Sequence, residues 1–207
     1  MYSRSKALDS LDVRMEDVQL LLDSHKQATQ RSQLDKQLTE ARNIEDAFEA
    51  LRAIVRQPGR GRPPALGALN RAAIVLLCAH LQGYFEDAYD EAADFLLGSK
   101  VKDLEVLKKS GKSGFGNPHS KVVDALFASL GLPRMTAGID WPKFTNKQVK
   151  ARLRGFIQLR NKIAHGERVA VRRRDVTETK AFVERLAGKF DERLFEVMHD
   201  VTKQEPW

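Results

Sequence analysis

The feature that most constrains this chain is the stretch Ala72 to Leu81, which is apolar on almost every side of a helix. It lies inside a longer run, Leu66 to Leu97, whose apolar residues recur at helical spacing. A helix hydrophobic all round has to be enclosed by other elements, so this segment reads as the central helix of a core. The apolar stretch falls well short of the ~20 residues that a bilayer-spanning helix needs. No run of alternating polar and apolar residues suggests a half-buried strand, and nearly every other long segment also carries the helical period. The expectation is an all-α fold, a bundle of about five to seven helices.

The other elements follow from stripes and breakers. Leu8, Leu11, Met15, Val18, Leu21 and Leu22 form one stripe, and Ile44, Ala47, Phe48, Leu51, Ile54 and Val55 form a second. Between them, residues 23 to 40 are strongly polar and offer little surface to bury, so they read as the most exposed part of the region. Pro58 and the run QPGRGRPP end the pattern, because proline and glycine cannot continue a helix. The chain therefore divides into an N-terminal helical extension (1–57), a Pro/Gly linker (58–65) and a helical domain (66–207). The extension is expected to pack on the domain or on a second subunit. Within the domain, Gly98 reads as a stop, residues 110 to 118 as a loop, and residues 119 to 130 as a short helix stopped by Gly131 and Pro133. Residues 134 to 144, with Trp141-Pro142, read as an ordered loop. Thr145 is the expected N-cap of a basic helix to Ala164, closed by Gly166 in the left-handed conformation. A last helix over Asp175 to Val201 places Val183, Leu186, Phe190, Leu194, Val197 and Val201 on one face.

Charge is distributed unevenly. From Lys143 to Arg174 there are eleven basic residues and one acid, Glu167, which gives +10 in a chain whose total is +7. Such a block suits a polyanion, because each neutralised phosphate releases a counterion. It equally suits a solvated helix face paired with acids elsewhere, and Glu86, Asp87, Asp90, Glu91 and Asp94 are obvious counterparts. The charges alone leave both readings open.

Most familiar chemistries find no support. One cysteine, Cys78, allows no intrachain disulfide and no cysteine-based zinc cluster, and its apolar surroundings predict a buried, inert thiol. The five histidines are scattered without metal-ligand spacing, so no metal or other cofactor is expected. Gly111-Lys112-Ser113 looks like a phosphate loop, but Val106 stands where that motif needs its first glycine and no strand precedes it. His80 reads as a helix-interface histidine. The first ten residues lack the apolar core of a secretory signal, so a cytoplasmic protein without a membrane segment is expected.

The informative segment is Leu159-Arg160-Asn161-Lys162-Ile163-Ala164-His165-Gly166. Asn161 and His165 are one turn apart on a helix and share a face, whereas Arg160 lies about 140° round the axis from His165. Arg160 and His165 therefore meet only if the helix end distorts or if two copies of the segment face each other across a dimer interface. This R-N-x-x-x-H arrangement resembles the R-x(4–6)-H motif of the HEPN superfamily, the higher eukaryote and prokaryote nucleotide-binding domains. The long helix LNRAAIVLLCAHLQGYFEDAYDE, the GFGNP loop, the short helix ending ASLGLP, Trp141 and then LRNKIAHGE are similar to the RiboL-PSP and related stand-alone HEPN subfamilies, over roughly residues 65 to 200.

The resemblance implies a HEPN-like helical bundle. Catalytic members are metal-independent endoribonucleases of toxin–antitoxin, abortive-infection or RNA-processing systems, usually dimers whose two motifs share a cleft. Carried over, His165 handles the proton of the ribose 2′-hydroxyl or of the leaving oxygen. Arg160 holds the scissile phosphate, and Asn161 orients the histidine or the phosphate. Related core helices often carry an acid where this chain has Gln82, with Glu86 one turn further on, and this pair is expected to support the motif from behind. Lys162, Arg168, Arg172, Arg173 and Arg174 are candidate RNA contacts, the last three equally readable as a solvated turn. Two functions remain open at this level: a homodimeric endoribonuclease acting as a toxin or defence effector, and a non-catalytic module binding RNA or a protein such as an antitoxin.

Overall fold

A computed structural model describes residues 2–40, 64–98 and 103–207, apart from the side chains of residues 31–40, 64 and 65. Among the described residues there are six helices: α1 (Lys6–Glu40), α2 (Pro64–Leu97), α3 (Leu104–Gly111), α4 (Ser120–Ala128), α5 (Asn146–Ala164) and α6 (Arg173–Thr202). The only extended pairing among them is an isolated bridge between Trp141 and Phe144. The fold is all-α, as the periodicity predicts. The second stripe, Ile44 to Val55, and most of the Pro/Gly linker lie outside the described residues. Pro64 opens α2, where a fixed φ suits the first helical position and the missing N–H is no loss. α3 has no counterpart in the sequence reading, because eight residues hold too few turns to show a period.

α2 is the axis of the bundle, in contact with α1, α3, α4, α5 and α6. It is the one described helix long and apolar enough to cross a membrane by length and composition. Ile74, Leu77, Leu81 and Phe85 are buried against these neighbours, but Ala72 and Ala79 are exposed and Val75 and Leu76 half-buried. The all-round enclosure expected of Ala72 to Leu81 is therefore only partly met. Leu8, Leu11, Met15, Val18 and Leu22 of α1 are buried at alternating spacings of three and four, so one edge of α1 lies continuously along α2. At the centre, Phe190 of α6 meets Phe85 of α2 at 4.9 Å and Phe127 of α4 at 5.0 Å between ring centroids. These edge-on contacts follow the quadrupoles of the rings. On α6 the predicted face is buried from Val183 to Leu194, but Val201 is 65% exposed. Its turn lies at the end of the helix, past the neighbours that cover the rest.

The N-terminus is fastened to this core by two carboxylates. Asp191 of α6 is fully buried and accepts hydrogen bonds from the Tyr2 hydroxyl (2.9 Å), the Ser5 N–H (3.1 Å) and the Tyr84 hydroxyl (3.3 Å), as well as from the Ser5 hydroxyl. Ser5 Oγ in turn accepts the Leu8 N–H at 3.1 Å and caps α1. Glu91 of α2 accepts the N–H groups of Lys6 and Ala7, which satisfies two of the donors that a helix start leaves without partners. Burial, with Asp191 close by, pushes the Tyr2 and Tyr84 hydroxyls up, and burial pushes Glu91 up. The first half of α1 thus shares the core of the bundle. Further along, Ser24, Lys26, Gln27, Ala28 and Gln30 are exposed while His25 is buried.

Candidate active site and nucleic-acid interface

α5 is the element that builds the site, and its ends are fixed by local chemistry. Thr145 adopts an extended conformation and forms a capping box with Gln148, whose side chain accepts the Thr145 N–H at 2.8 Å. At the other end the Gly166 N–H bonds to the Ile163 carbonyl and the Glu167 N–H to the Lys162 carbonyl, both at 3.0 Å. With Gly166 at φ 82° this is a Schellman stop, which needs a residue without Cβ strain at that position. Val149, Leu153, Phe156 and Ile157 are buried on one side, where α5 lies against α2. The opposite side of α5 faces solvent.

The motif lies at the C-terminal end of this helix. His165 is the capping residue, with φ −83° and ψ 8°, and its side chain is exposed. Its N–H donates to the Asn161 carbonyl at 2.9 Å. Arg160 is half-buried and donates from Nη1 to Asn161 Oδ1 at 3.2 Å. It sits close enough to Cys78 of α2 that its charge acts on that thiol, although burial dominates and the thiol is pushed up. Arg160 Nε is buried and donates to no acceptor among the described residues, and no carboxylate there neutralises the guanidinium. Buried donors without a partner are uncommon in folded proteins. Asn161 is thus engaged by Arg160 and not by the imidazole. Within one chain no hydrogen bond joins the Arg160 and His165 side chains, in keeping with their offset round the helix.

The acids of α2 are engaged away from the basic block. Asp87 pairs with Arg14, Asp90 with Lys112 and Asp94 with Lys108. Glu91 holds the start of α1, and Glu86 accepts the Gln82 amide at 2.9 Å. None of the five is spent on residues 143 to 174. Of the eleven cations in that block, only Arg174 has a carboxylate partner among the described residues, Glu178 on its own helix. Arg152 lies over the rings of Phe144 and Phe182 and donates to the Glu178 carbonyl. Ten of these eleven cations thus have no carboxylate partner among the described residues.

Lys162 and Arg168 are exposed beside the motif. Arg172, Arg173 and Arg174, also exposed, stand at the cap and in the first turn of α6, where the helix dipole favours negative charge. Asp175, whose carboxylate accepts the Arg172 N–H at 2.8 Å, and Glu178, paired with Arg174, offset them locally. Gln82 and Glu86 bond to each other, and among the described residues neither bonds to Arg160, Asn161 or His165. They lie one and two turns along α2 from Cys78, the residue Arg160 approaches.

The remaining motifs have structural roles. A Cβ on Gly111 would lie 1.9 Å from the Tyr89 hydroxyl, so Gly111 lets α3 approach α2, and Lys112 is committed to Asp90. His80 faces α1, with Nε2 3.8 Å from an Asp17 oxygen. Among the described residues no group of three or more His, Cys, Asp or Glu side chains is placed to hold a metal ion.

An all-α bundle with R-N-x-x-x-H closing an exposed basic helix is the architecture of a HEPN-superfamily domain. The family model for RiboL-PSP-HEPN matches residues 33–196, from within α1 to within α6, and the chain belongs to that family. No curated protein and no solved structure matches it.

Proposed function

We propose that this protein is a metal-independent endoribonuclease of the cytoplasm, a toxin or defence effector that works as a homodimer. The observation that carries this reading is an exposed histidine at the end of the same basic helix as an arginine that has no carboxylate partner among the described residues. In the proposed reaction His165 takes the proton of the substrate's 2′-hydroxyl or returns one to the leaving 5′-oxygen. Imidazole is the side chain that most often serves in both roles. Arg160, with Asn161 fixing one edge of its guanidinium, stabilises the charge that develops on the phosphate. The nucleophile belongs to the substrate, so the chemistry selects RNA over DNA and leaves a 2′,3′-cyclic phosphate.

A two-fold axis near His165 completes the site. Arg160 and His165 point about 140° apart on one helix, and a second copy supplies the missing partner to each. A second reading, a non-catalytic module holding RNA or an antitoxin protein, is favoured by one feature: Arg160 bonds to Asn161 and not toward His165. The two readings separate on an RNA oligonucleotide carrying a single 2′-deoxynucleotide at the cleaved position. The endoribonuclease leaves that oligonucleotide intact while cutting its all-ribose twin to a cyclic-phosphate end. Equal cleavage of both, or of neither, removes the proposed mechanism.

A further inference from the structure

Three groups on the solvent side of α5 have no role inside the bundle. Lys147, Arg154 and Lys162 fall, at about 100° per residue, within a sector about 80° wide that also contains His165. All four side chains are exposed, and the three cations have no acidic partner among the described residues. Between them the same face carries only short or neutral side chains, Ala151, Gly155 and Gln158. A Cβ added at Gly155 would meet nothing within 4 Å, so packing does not explain a glycine in mid-helix.

Lys143 extends the line beyond the start of α5. It occupies the third position of the turn Trp141-Pro142-Lys143-Phe144, closed by the Phe144 N–H donating to the Trp141 carbonyl at 2.8 Å. Its φ is 75°, a conformation that turns of this kind ordinarily give to glycine or asparagine. A lysine is held there against its backbone preference, exposed, and with no carboxylate partner among the described residues.

We propose that a single RNA strand lies along this face of α5, from Lys143 through Lys147 and Arg154 to the motif, and that these three cations are its phosphate contacts remote from the cleavage point. The proposal rests on the ribonucleolytic reading of Arg160 and His165 and adds the path by which substrate reaches them. From Lys147 to His165 the helix rises about 27 Å, which accommodates about eight stacked nucleotides at ~3.4 Å each, fewer if the strand is extended. Away from the motif, a second copy of the chain is a poorer occupant than RNA, because it would set Lys147 and Arg154 against like charges.

The test measures binding of the full chain to uncleavable 2′-O-methyl RNA of about four and about twelve nucleotides by fluorescence polarisation across a salt series. The variant is the triple substitution Lys143→Gly, Lys147→Gln and Arg154→Gln, all at exposed positions, the first at a φ that suits glycine. The expected result is that the long oligonucleotide binds more weakly to the variant, with its log–log salt slope reduced by about 2, at ~0.7 per lost contact. Binding of the short one is unchanged. Lys143→Gly alone should leave the melting temperature equal or higher. Equal losses for both lengths, or none, overturn the track. So does a dimer that dissociates on Gly155→Gln in light scattering, since the face would then belong to a second copy. Cleavage of unmodified RNA is read separately: a wild type with the length dependence but no cleavage keeps the track and removes the nuclease reading. A wild type that binds neither oligonucleotide removes both.

Discussion

Gly155→Ala should make this protein more stable. Glycine in a helix interior is about 0.8–1.0 kcal/mol less favourable than alanine, and two features usually cancel that gain. One is a positive φ, and Gly155 is not among the glycines that have one. The other is a neighbour too close for a Cβ, as Tyr89 is for Gly111, and Gly155 has nothing within 4 Å. The full ~1 kcal/mol should therefore appear, which for a chain of this size raises the melting temperature by about 2–4 °C. A thermal melt followed by circular dichroism, with a urea titration to confirm an unchanged m-value, measures it. A lower melting temperature for Gly155→Ala would refute the reasoning, because it would mean that some surface packs against the outer face of α5 in solution.

Three further outcomes follow. Asp191→Ala leaves the Ser5 N–H and hydroxyl without their acceptor in a dry core, while Tyr84 keeps the Ala187 carbonyl. It should cost about 3 kcal/mol, read as a fall in the urea midpoint, whereas a change under ~1 kcal/mol would contradict the anchoring of α1. His80 is held below its usual 6.5, chiefly by burial and partly offset by Asp17; the unfolded chain takes up that proton first, so stability contributed by the neutral imidazole is lost as pH falls through about 6.5. The drop in urea midpoint between pH of about 7.5 and about 5.5 should be smaller in His80→Gln than in wild type. Replacing Arg172, Arg173 and Arg174 by alanine relieves three cations at a helix N-terminus and should hold or raise stability, yet weaken RNA binding and flatten its salt slope by about 2; unaltered binding would assign them to a solvated turn.

Local rules made much of this architecture legible. Thr145 and Gly166 act over one helical turn each, so the sequence marked both ends of α5. The stripe from Leu8 to Leu22 named the buried edge of α1 because a period of three and four has one interpretation. What could not be read depends on partners far apart in the chain. Asp191 looks like a surface acid on an amphipathic helix until Tyr2, Ser5 and Tyr84 are brought to it. The acids of α2 could have served the basic block, and only the packing of α1 and α3 shows Arg14, Lys108 and Lys112 reaching three of them first. Asn161 was legible as sharing a face with His165 and Arg160 as lying round the helix from it, but the bond between Arg160 and Asn161 was not.

Several local preferences are broken within the basic segment: a lysine at positive φ, an unpacked mid-helix glycine and arginines at the positive end of a dipole. Departures of this kind collect where a surface is shaped for a ligand at some cost to the fold. Under the proposed function that ligand is RNA.

The most direct test of the central claim is cleavage of single-stranded RNA in excess EDTA by wild type and by His165→Ala, each purified free of other nucleases. The account predicts that wild type cleaves at an undiminished rate and that the variant loses about 10²–10⁴-fold in rate while still binding the same RNA. Cleavage that EDTA abolishes, or a His165→Ala protein that cuts as fast as wild type, would contradict it.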